Sequence, residues 1–154
     1  MKPENKLALI GMAGAAVYLL NKAGTVQKLF WPLYSAVTGK FGQRIHPVTG
    51  LPDFHNGIDL RGKVGDKIKS PADGRVVSVY ENSVGGRQLV IKHGNGYTTG
   101  YAHLNKVHVA VNTSVKQGQL IAEVGATGQL TGPHLHLTLK DAKGAYIDPE
   151  KYFV

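Results

Sequence analysis

Two histidines stand at alternate positions of one apolar segment, the stretch GPHLHL at residues 132–137. In a β-strand, side chains two residues apart project from the same face and are separated by roughly 6–7 Å. If the segment is a strand, His134 and His136 share one pocket, which indicates a metal site or an acid–base site. Taken alone, such a pair favours two partly buried, hydrogen-bonded histidines on an ordinary strand, so other polar residues must decide between these interpretations.

A second candidate lies in the stretch FHNGIDLRG at residues 54–62, where His55 and Asp59 are four positions apart. A helix would bring the two side chains together, but the intervening Asn-Gly pair disfavours a helix. A straight strand would separate them by about 13 Å, too far to share one ion. If both bind one metal, the backbone must bend between them, and Gly57 permits that bend. The alternative is a turn that contains a capped histidine and an aspartate supporting the glycine.

His103, in the stretch GYAHL, brings the number of histidine-bearing β segments to three. Three nitrogen or oxygen ligands with an open fourth position are typical of a catalytic zinc site. Four histidines and one aspartate exceed three ligands, which leaves two histidines for proton transfer or transition-state stabilisation. The chain lacks HExxH, GxSxG and P-loop motifs, and it has no cysteine, so thiolate metal sites and a cysteine nucleophile are excluded.

Short strand-like runs divided by glycine-rich turns predict the elements that position these residues, from residue 40 onward. The predicted strands are residues 75–80, 88–93, 97–104, 119–124 and 134–140, with a hairpin at Gly94-Asn95-Gly96. The stretches 64–79 and 115–128 resemble each other, as in a duplicated sheet unit. The sequence therefore predicts an all-β domain, a compact antiparallel β-sandwich or barrel-like fold, preceded by an N-terminal apolar helix.

The N-terminus differs in kind, because residues 7–20 form an uncharged apolar run between Lys6 and Lys22. As a helix this run would span about 21 Å, short of the roughly 30 Å hydrocarbon core. Residues 1–22 are interpreted as an uncleaved membrane anchor, with a signal peptide as the open alternative. Residues 23–39 are predicted to be a linker whose aromatic patch sits at a membrane interface, and residues 40–154 the folded domain. Packing of the apolar helix on the domain or on a partner protein is the competing interpretation.

Eighteen Lys and Arg against ten Asp and Glu give a formal charge of +8. Such a charge suits an anionic partner, whether nucleic acid, an acidic membrane surface or a bacterial cell wall. No dense Lys/Arg cluster or aromatic-interleaved basic stripe occurs in the sequence, so no nucleic-acid partner is expected.

The stretches FGQRIHPVTGLPDFHNGIDL (41–60), YAHL (101–104) and GPHLHL (132–137) resemble, in this order and spacing, the lysostaphin/LytM-type zinc endopeptidases, peptidase family M23. The resemblance covers roughly residues 39–153. The resemblance implies an M23 peptidase fold and one Zn²⁺ per chain. Enzymes of this family cleave peptide cross-links of peptidoglycan. Peptidoglycan stem peptides or cross-bridges are the implied substrates.

The resemblance also implies roles for individual residues. Carried over by position, His55 and Asp59 match the first two zinc ligands of the family, and His136 matches the third. His103 and His134 match the pair that flanks the metal-bound water, and would activate that water, stabilise the oxyanion and protonate the leaving amine. Which of the two is the general base stays open. Arg44 and Tyr101 are candidate substrate contacts, with purely structural roles equally compatible with the sequence.

The function expected is a zinc endopeptidase acting on peptidoglycan, membrane-anchored through residues 7–20 or exported. Its setting would be a bacterial envelope or a phage virion. The alternative is a non-catalytic peptidoglycan-binding regulator of a cell-wall amidase, against which the complete set of five site residues argues. A lipoyl- or biotinyl-type carrier domain, suggested by the repeated hairpins, leaves those five residues unexplained.

Overall fold

The computed structural model describes residues 19–20, 26–94 and 96–154, and these residues form β-structure without any α-helix. The strands are β1 (Leu19–Leu20), β2 (Val26–Gln27), β3 (Val37–Gly39), β4 (Gly42–Ile45), β5 (Pro52–His55), β6 (Ile58–Arg61), β7 (Lys67–Lys69), β8 (Gly74–Asn82), β9 (Gly86–His93), β10 (Thr98–Val107), β11 (Ser114–Val115), β12 (Leu120–Val124), β13 (His134–Lys140) and β14 (Tyr146–Ile147). A 3₁₀ turn follows at Pro149–Lys151.

The main sheet runs in the order β11-β8-β9-β10-β13-β6-β3, and every ladder in it is antiparallel. Strand β12 pairs with both β10 and β7, β14 pairs with β13, and β4 forms a separate hairpin with β5. The prediction of an all-β antiparallel domain is confirmed. Strands β9 and β10 pair on either side of the predicted Gly-Asn-Gly turn, with Lys92 opposite Thr98.

Strand β13 shows most directly how sequence alternation positions the site. Leu135, Leu137 and Leu139 are fully buried in the core, whereas His134 and His136 lie half-buried on the opposite face. Burying each leucine contributes roughly 1.5–3 kcal/mol, and a register slip of one residue would exchange the two faces. The hydrophobic core therefore fixes the face to which both histidines point.

The two similar stretches, residues 64–79 and 115–128, pair with each other. Strand β7 of the first pairs with β12 of the second, and β8 of the first pairs with β11. The backbone amide of Ser70 donates to Gln119, and that of Gly118 donates back to Ser70, each at 2.8 Å. The resemblance between the stretches thus corresponds to two reciprocal strand pairings on one side of the domain.

The predicted N-terminal apolar helix falls mainly on residues 1–18, outside the described part of the chain. Its last two residues, Leu19–Leu20, form β1 and pair with β2. Among the described residues, no helix has the length and apolar character needed to cross a bilayer.

Residues 28–39, predicted to belong to a linker, pack against the domain. Leu29 is fully buried and forms a bridge with Phe153, whose ring lies 5.4 Å from that of Trp31. The amide of Lys69 donates to the Pro32 carbonyl at 3.0 Å, and β3 pairs with β6 at the edge of the main sheet. These contacts make residues 28–39 part of the packed structure.

Candidate metal centre and active site

The backbone bends sharply between His55 and Asp59. His55 ends β5 in the small hairpin, and Ile58 begins β6 in the main sheet, so the chain changes sheets across the two residues between them. A Cβ atom at Gly57 would overlap the Leu137 carbonyl, which is why glycine is required there. The bend brings His55 Nε2 to 3.3 Å from Asp59 Oδ1.

His136 joins this pair because its strand lies beside that of Asp59. The two residues are direct partners in the β13–β6 ladder. His136 Nδ1 lies 3.0 Å from Asp59 Oδ1 and 3.1 Å from His55 Nε2. One ligand atom from each of the three residues therefore lies within 4.8 Å of the others.

Hydrogen bonds behind the ligands fix which nitrogen of each ring carries a hydrogen. His55 Nδ1 lies 2.8 Å from the Lys40 carbonyl, which only accepts, so Nδ1 donates and Nε2 keeps its lone pair. His136 Nε2 likewise donates to Asn56 Oδ1 at 3.0 Å, which leaves the lone pair on Nδ1. With both rings neutral, two nitrogen lone pairs and one carboxylate oxygen face each other without a hydrogen between them. A cation bound between these three atoms would accept their lone pairs and remove the repulsion among them.

The spacing of these three atoms fits zinc. Tetrahedral zinc with bonds of about 2.0–2.2 Å holds its ligand atoms roughly 3.3–3.5 Å apart. The three separations observed are 3.0, 3.1 and 3.3 Å. Two imidazoles and one carboxylate also form a donor set of the catalytic zinc type, with the fourth position left for a water or substrate.

The charge states of the ligands follow from burial and contact. Burial raises the pKa of Asp59, but the contacts of its carboxylate with the His136 and His55 rings outweigh that effect and hold this pKa well below its usual range. Burial lowers the pKa of His136, although the Asp59 carboxylate opposes that shift. The site therefore combines an ionised carboxylate with an imidazole that burial favours in its neutral, metal-binding form.

A second pair of histidines stands beside the three ligands. The rings of His103 and His134 lie 4.9 Å apart, and His134 Nε2 is 3.5 Å from Asp59 Oδ1. His103 Nδ1 donates to the Thr127 carbonyl at 2.7 Å, and His134 Nδ1 donates to the Gly132 carbonyl at 2.9 Å. When neutral, each ring thus keeps its lone pair on Nε2.

His103 reaches the site through an irregularity in β10. Its φ is +62°, and the β10–β9 register shifts between Tyr101 and Leu104, as in a β-bulge. A non-glycine residue in that conformation costs about 1–3 kcal/mol, and such bulges often re-aim side chains next to active sites. Burial lowers the pKa of His103, and the neighbouring His134 lowers it further, whereas the Thr127 carbonyl raises it.

The five residues lie in a cleft of about 780 Å³. One side is the β4–β5 hairpin, where the rings of Phe41 and Phe54 meet edge to face at 5.2 Å. Segments 82–85 and 129–131 also contribute to the lining.

Residues 53–149, more than half of the chain, match Peptidase family M23. The chain belongs to peptidase family M23. Over 104 residues it is 46% identical to the peptidoglycan DD-endopeptidase ShyB of Vibrio cholerae, covering 67% of this chain and 24% of that relative. The chain thus spans about a quarter of the length of the curated relatives it matches.

Solved structures agree with the M23 assignment. A zinc-containing peptidase from Vibrio cholerae superposes with a TM-score of 0.76 at 37% identity, over 93% of this chain and 45% of that one. The catalytic domain of lysostaphin from Staphylococcus simulans gives a TM-score of 0.68 at 28% identity, over 75% and 90% of the two chains. The family resemblance deduced from the sequence is confirmed.

The two predicted substrate contacts of the M23 chain occupy different environments. Arg44 lines the cleft, with Nη1 3.5 Å from Asp59 Oδ2 and Nε 3.3 Å from Asp53 Oδ2. Tyr101 lies in the core, 1% exposed, with its hydroxyl 2.8 Å from Thr99 Oγ1. By strand alternation Tyr101 would share a face with His103, but His103, at the bulge, lines the cleft whereas Tyr101 lies in the core. The role of Tyr101 as a substrate contact stays a prediction, and Tyr101 also contributes to the lining of a smaller cavity beside the cleft.

Sequence reasoning missed the groups that orient the M23 site residues. Three of these are backbone carbonyls, those of Lys40, Thr127 and Gly132, which leave no signal in residue type. Asn56 was interpreted only as a turn residue, although its position next to His55 offered a signal for a supporting hydrogen bond. Gly39 is the other omission, because a Cβ there would overlap the Asp59 carboxylate.

Proposed function

We propose that this chain is a zinc-dependent endopeptidase that hydrolyses peptide cross-links of bacterial peptidoglycan. The observation that carries the proposal is the convergence of three lone-pair donors, His55 Nε2, Asp59 Oδ1 and His136 Nδ1, beside two further histidines. Membership of family M23 and the similarity to a peptidoglycan DD-endopeptidase support the substrate class.

His55, Asp59 and His136 would hold the metal. When bound, zinc supplies Lewis acidity, which lowers the pKa of a water ligand towards 7 and polarises a carbonyl group. The Lys40 carbonyl and Asn56 keep both imidazole ligands in the tautomer that faces the ion. Because these supporting bonds are made by the protein alone, the ligands are oriented before the metal arrives.

His103 and His134 would act as the general base and general acid of the hydrolysis. One ring takes a proton from the attacking water as its oxygen bonds to the scissile carbonyl carbon. The same pair then stabilises the developing oxyanion and returns a proton to the leaving nitrogen as the carbon–nitrogen bond breaks. Burial favours the neutral form of His103, so its Nε2 lone pair is available at neutral pH. Positioned acid–base groups of this kind contribute about 10²–10⁴-fold to the rate.

The test is mass spectrometry of muropeptides released by the purified full chain from several peptidoglycan types. We expect new amines with zinc, loss of activity with a chelator, and recovery when zinc is restored. His136→Ala should bind zinc weakly and lose activity. His103→Ala should lower kcat by about 10²–10⁴-fold while binding zinc normally, because it removes only the proton-transfer group. Undiminished, chelator-insensitive cleavage by His136→Ala would refute the zinc mechanism.

The same assay separates the enzyme from a non-catalytic regulator of a cell-wall amidase. A regulator would bind peptidoglycan, and even zinc, without releasing amines from any substrate. The complete set of His55, Asp59, His103, His134 and His136 supports the enzyme, because a binding protein has no need of the proton-transfer pair.

For the biological setting, we propose that residues 7–20 hold the protein at a membrane, in a bacterial envelope or in a phage particle. Support comes from the sequence: an apolar run between lysines, and a formal charge of +8 that favours an anionic wall. Cell fractionation and virion proteomics test this. Recovery only from the envelope of uninfected bacteria would exclude the phage setting, and recovery only from soluble fractions would exclude the anchor.

A further inference from the structure

A second, smaller cavity adjoins the catalytic cleft on the same face of the main sheet. Its volume is about 140 Å³, similar to the ~150 Å³ cavity that accommodates one benzene molecule. It shares four lining residues with the cleft, namely Asn56, Gln88, Ala102 and His136. A substrate held over the metal ligands therefore has a place to insert one further group next to His136.

Small residues of β10 create this space. Gly100 lies between Val90 of β9 and Thr138 of β13, and Ala102 lies opposite His136. A Cβ at Gly100 would overlap Thr138 Oγ1. Glycine inside a strand weakens the sheet and often marks a site where a ligand comes close to the backbone. The cavity is thus a built feature of the sheet rather than a gap between loops.

Gln88 contributes an unused hydrogen-bond donor where the two cavities meet. Its Oε1 accepts from the Tyr80 hydroxyl at 3.1 Å, but its Nε2 is buried and has no hydrogen-bond partner among the described residues. Native proteins leave few buried polar atoms unsatisfied, and each one calls for an explanation. An acceptor supplied by the substrate, such as a peptide carbonyl, provides one here.

Lys140 gives the cavity a positive charge with no acidic side chain in its described lining. Its Nζ lies 4.5 Å from the centre of the Tyr146 ring, and none of the ion pairs within the described residues involves it. Lys140 is four residues beyond His136 on one strand, about 13 Å away along its axis. An extended lysine side chain, an ion pair and the one carbon between a scissile nitrogen and a neighbouring carboxylate together cover most of that distance.

We propose that this cavity binds a free carboxylate on the substrate residue next to the scissile amide, as in a diaminopimelate cross-link. Lys140 would pair with the carboxylate, and Gln88 Nε2 would donate to a backbone carbonyl. A glycine-rich bridge has no side chain or free carboxylate at that place. The inference rests on the proposed peptidoglycan endopeptidase function, and it selects the substrate within that class.

The experiment compares three cross-linked muropeptide dimers with the zinc-loaded full chain. One has the free carboxylate on the diamino acid, one has the carboxamide there, and one is joined by a glycine bridge. We expect the wild type to cleave the free-carboxylate dimer with a kcat/KM about tenfold or more above the carboxamide dimer, since charge-assisted hydrogen bonds are the strong ones. The glycine-bridged dimer should be cleaved slowest.

Two variants, each with a control, then assign the effect. Lys140→Met should lose about tenfold in kcat/KM on the carboxylate dimer, mainly through KM, and nothing on the carboxamide dimer. Lys106→Met removes the same charge from an exposed position on β10 outside both cavities and should leave the ratio unchanged. Gln88→Met removes the unpaired Nε2 donor and also the Oε1 acceptor of the Tyr80 hydroxyl, so Tyr80→Phe, which removes that same bond, is its stability control. Gln88→Met should lower kcat/KM on both dimers while its Tm stays equal to that of Tyr80→Phe.

The possible outcomes separate the two proposals. Cleavage of none of the dimers by the zinc-loaded wild type would refute the endopeptidase function itself. Equal cleavage of the carboxylate and carboxamide dimers by the wild type would refute the carboxylate site and leave the endopeptidase standing. So would equal losses for Lys140→Met and Lys106→Met, or a fall in Tm of Gln88→Met below that of Tyr80→Phe that accounts for its lost activity.

Discussion

Asn56 offers the sharpest test of how this site holds metal. Its Oδ1 accepts a hydrogen bond of 3.0 Å from His136 Nε2, on the far side of the ring from the atom that faces His55 and Asp59. Asn56→Ala removes that acceptor but leaves all three ligands in place. The imidazole then loses the bond that fixes its tautomer and orientation.

The expected magnitude follows from this single bond. Loss of an outer partner of a metal-binding histidine typically weakens metal affinity by about 10–100-fold. That range corresponds to about 1.4–2.7 kcal/mol of binding free energy. Asn56→Asp restores an acceptor, now charged, so zinc affinity should return to the wild-type value or exceed it. Recovery with aspartate would show that His136 donates through Nε2.

The assay is a competition titration of zinc between the protein and a chromophoric chelator at pH 7.5. His46→Ala serves as a control, because His46 lines the cleft but its Nδ1 accepts from the amides of Val48 and Thr49. Its zinc affinity should match that of the wild type. Folded Asn56→Ala protein that binds zinc within twofold of the wild type would refute the tautomer argument.

Three further predictions concern the supports of the site and the fold. Gly39→Ala should weaken zinc binding, because the added Cβ would displace the Asp59 carboxylate. Gly94→Ala is the control, since open space surrounds that position, and zinc titration compares the two variants. Burial lowers the pKa of His93 below 6.5 in the folded protein. As the pH falls below 6.5, the His93 imidazole is therefore protonated in the unfolded chain before it is protonated in the folded one. Folding stability should therefore be complete above pH 6.5 and fall below it, and urea unfolding of the metal-free protein should show a flatter pH dependence for His93→Gln. Removal of residues 1–39 should lower the thermal midpoint sharply, because it takes away β3 and a fully buried leucine.

Strand β13 shows where sequence was sufficient. Its alternation of histidine with leucine gave the bounds, the buried face and the shared face of His134 and His136, because a two-residue period depends only on local geometry. The bend between His55 and Asp59 was also predictable, since two ligands of one ion four residues apart demand it and Gly57 allows it.

His103 and residues 28–39 show where sequence was insufficient. Alternation assigns His103 to the face of Tyr101, and only the positive φ at the bulge reverses that assignment. Leu29 and Trp31 have the composition of a membrane-interface patch, but they contact Phe153, near the C-terminus and more than 120 positions away. Long-range packing and strained backbone leave no periodic pattern, so neither was predicted.

The three proposed ligands come from two separate sheets, with His55 on the small hairpin and Asp59 and His136 on the main sheet. An ion bound by all three residues would link the β4–β5 hairpin, which forms one side of the cleft, to the main sheet. Metal occupancy then governs mechanical rigidity as well as chemistry. Zinc at a hundred times its Kd would add about 2.7 kcal/mol to the free energy of unfolding. Zinc-starved protein would therefore hold the hairpin wall of its cleft less firmly as well as lacking its Lewis acid, and a chelated sample would be a poor control for substrate binding.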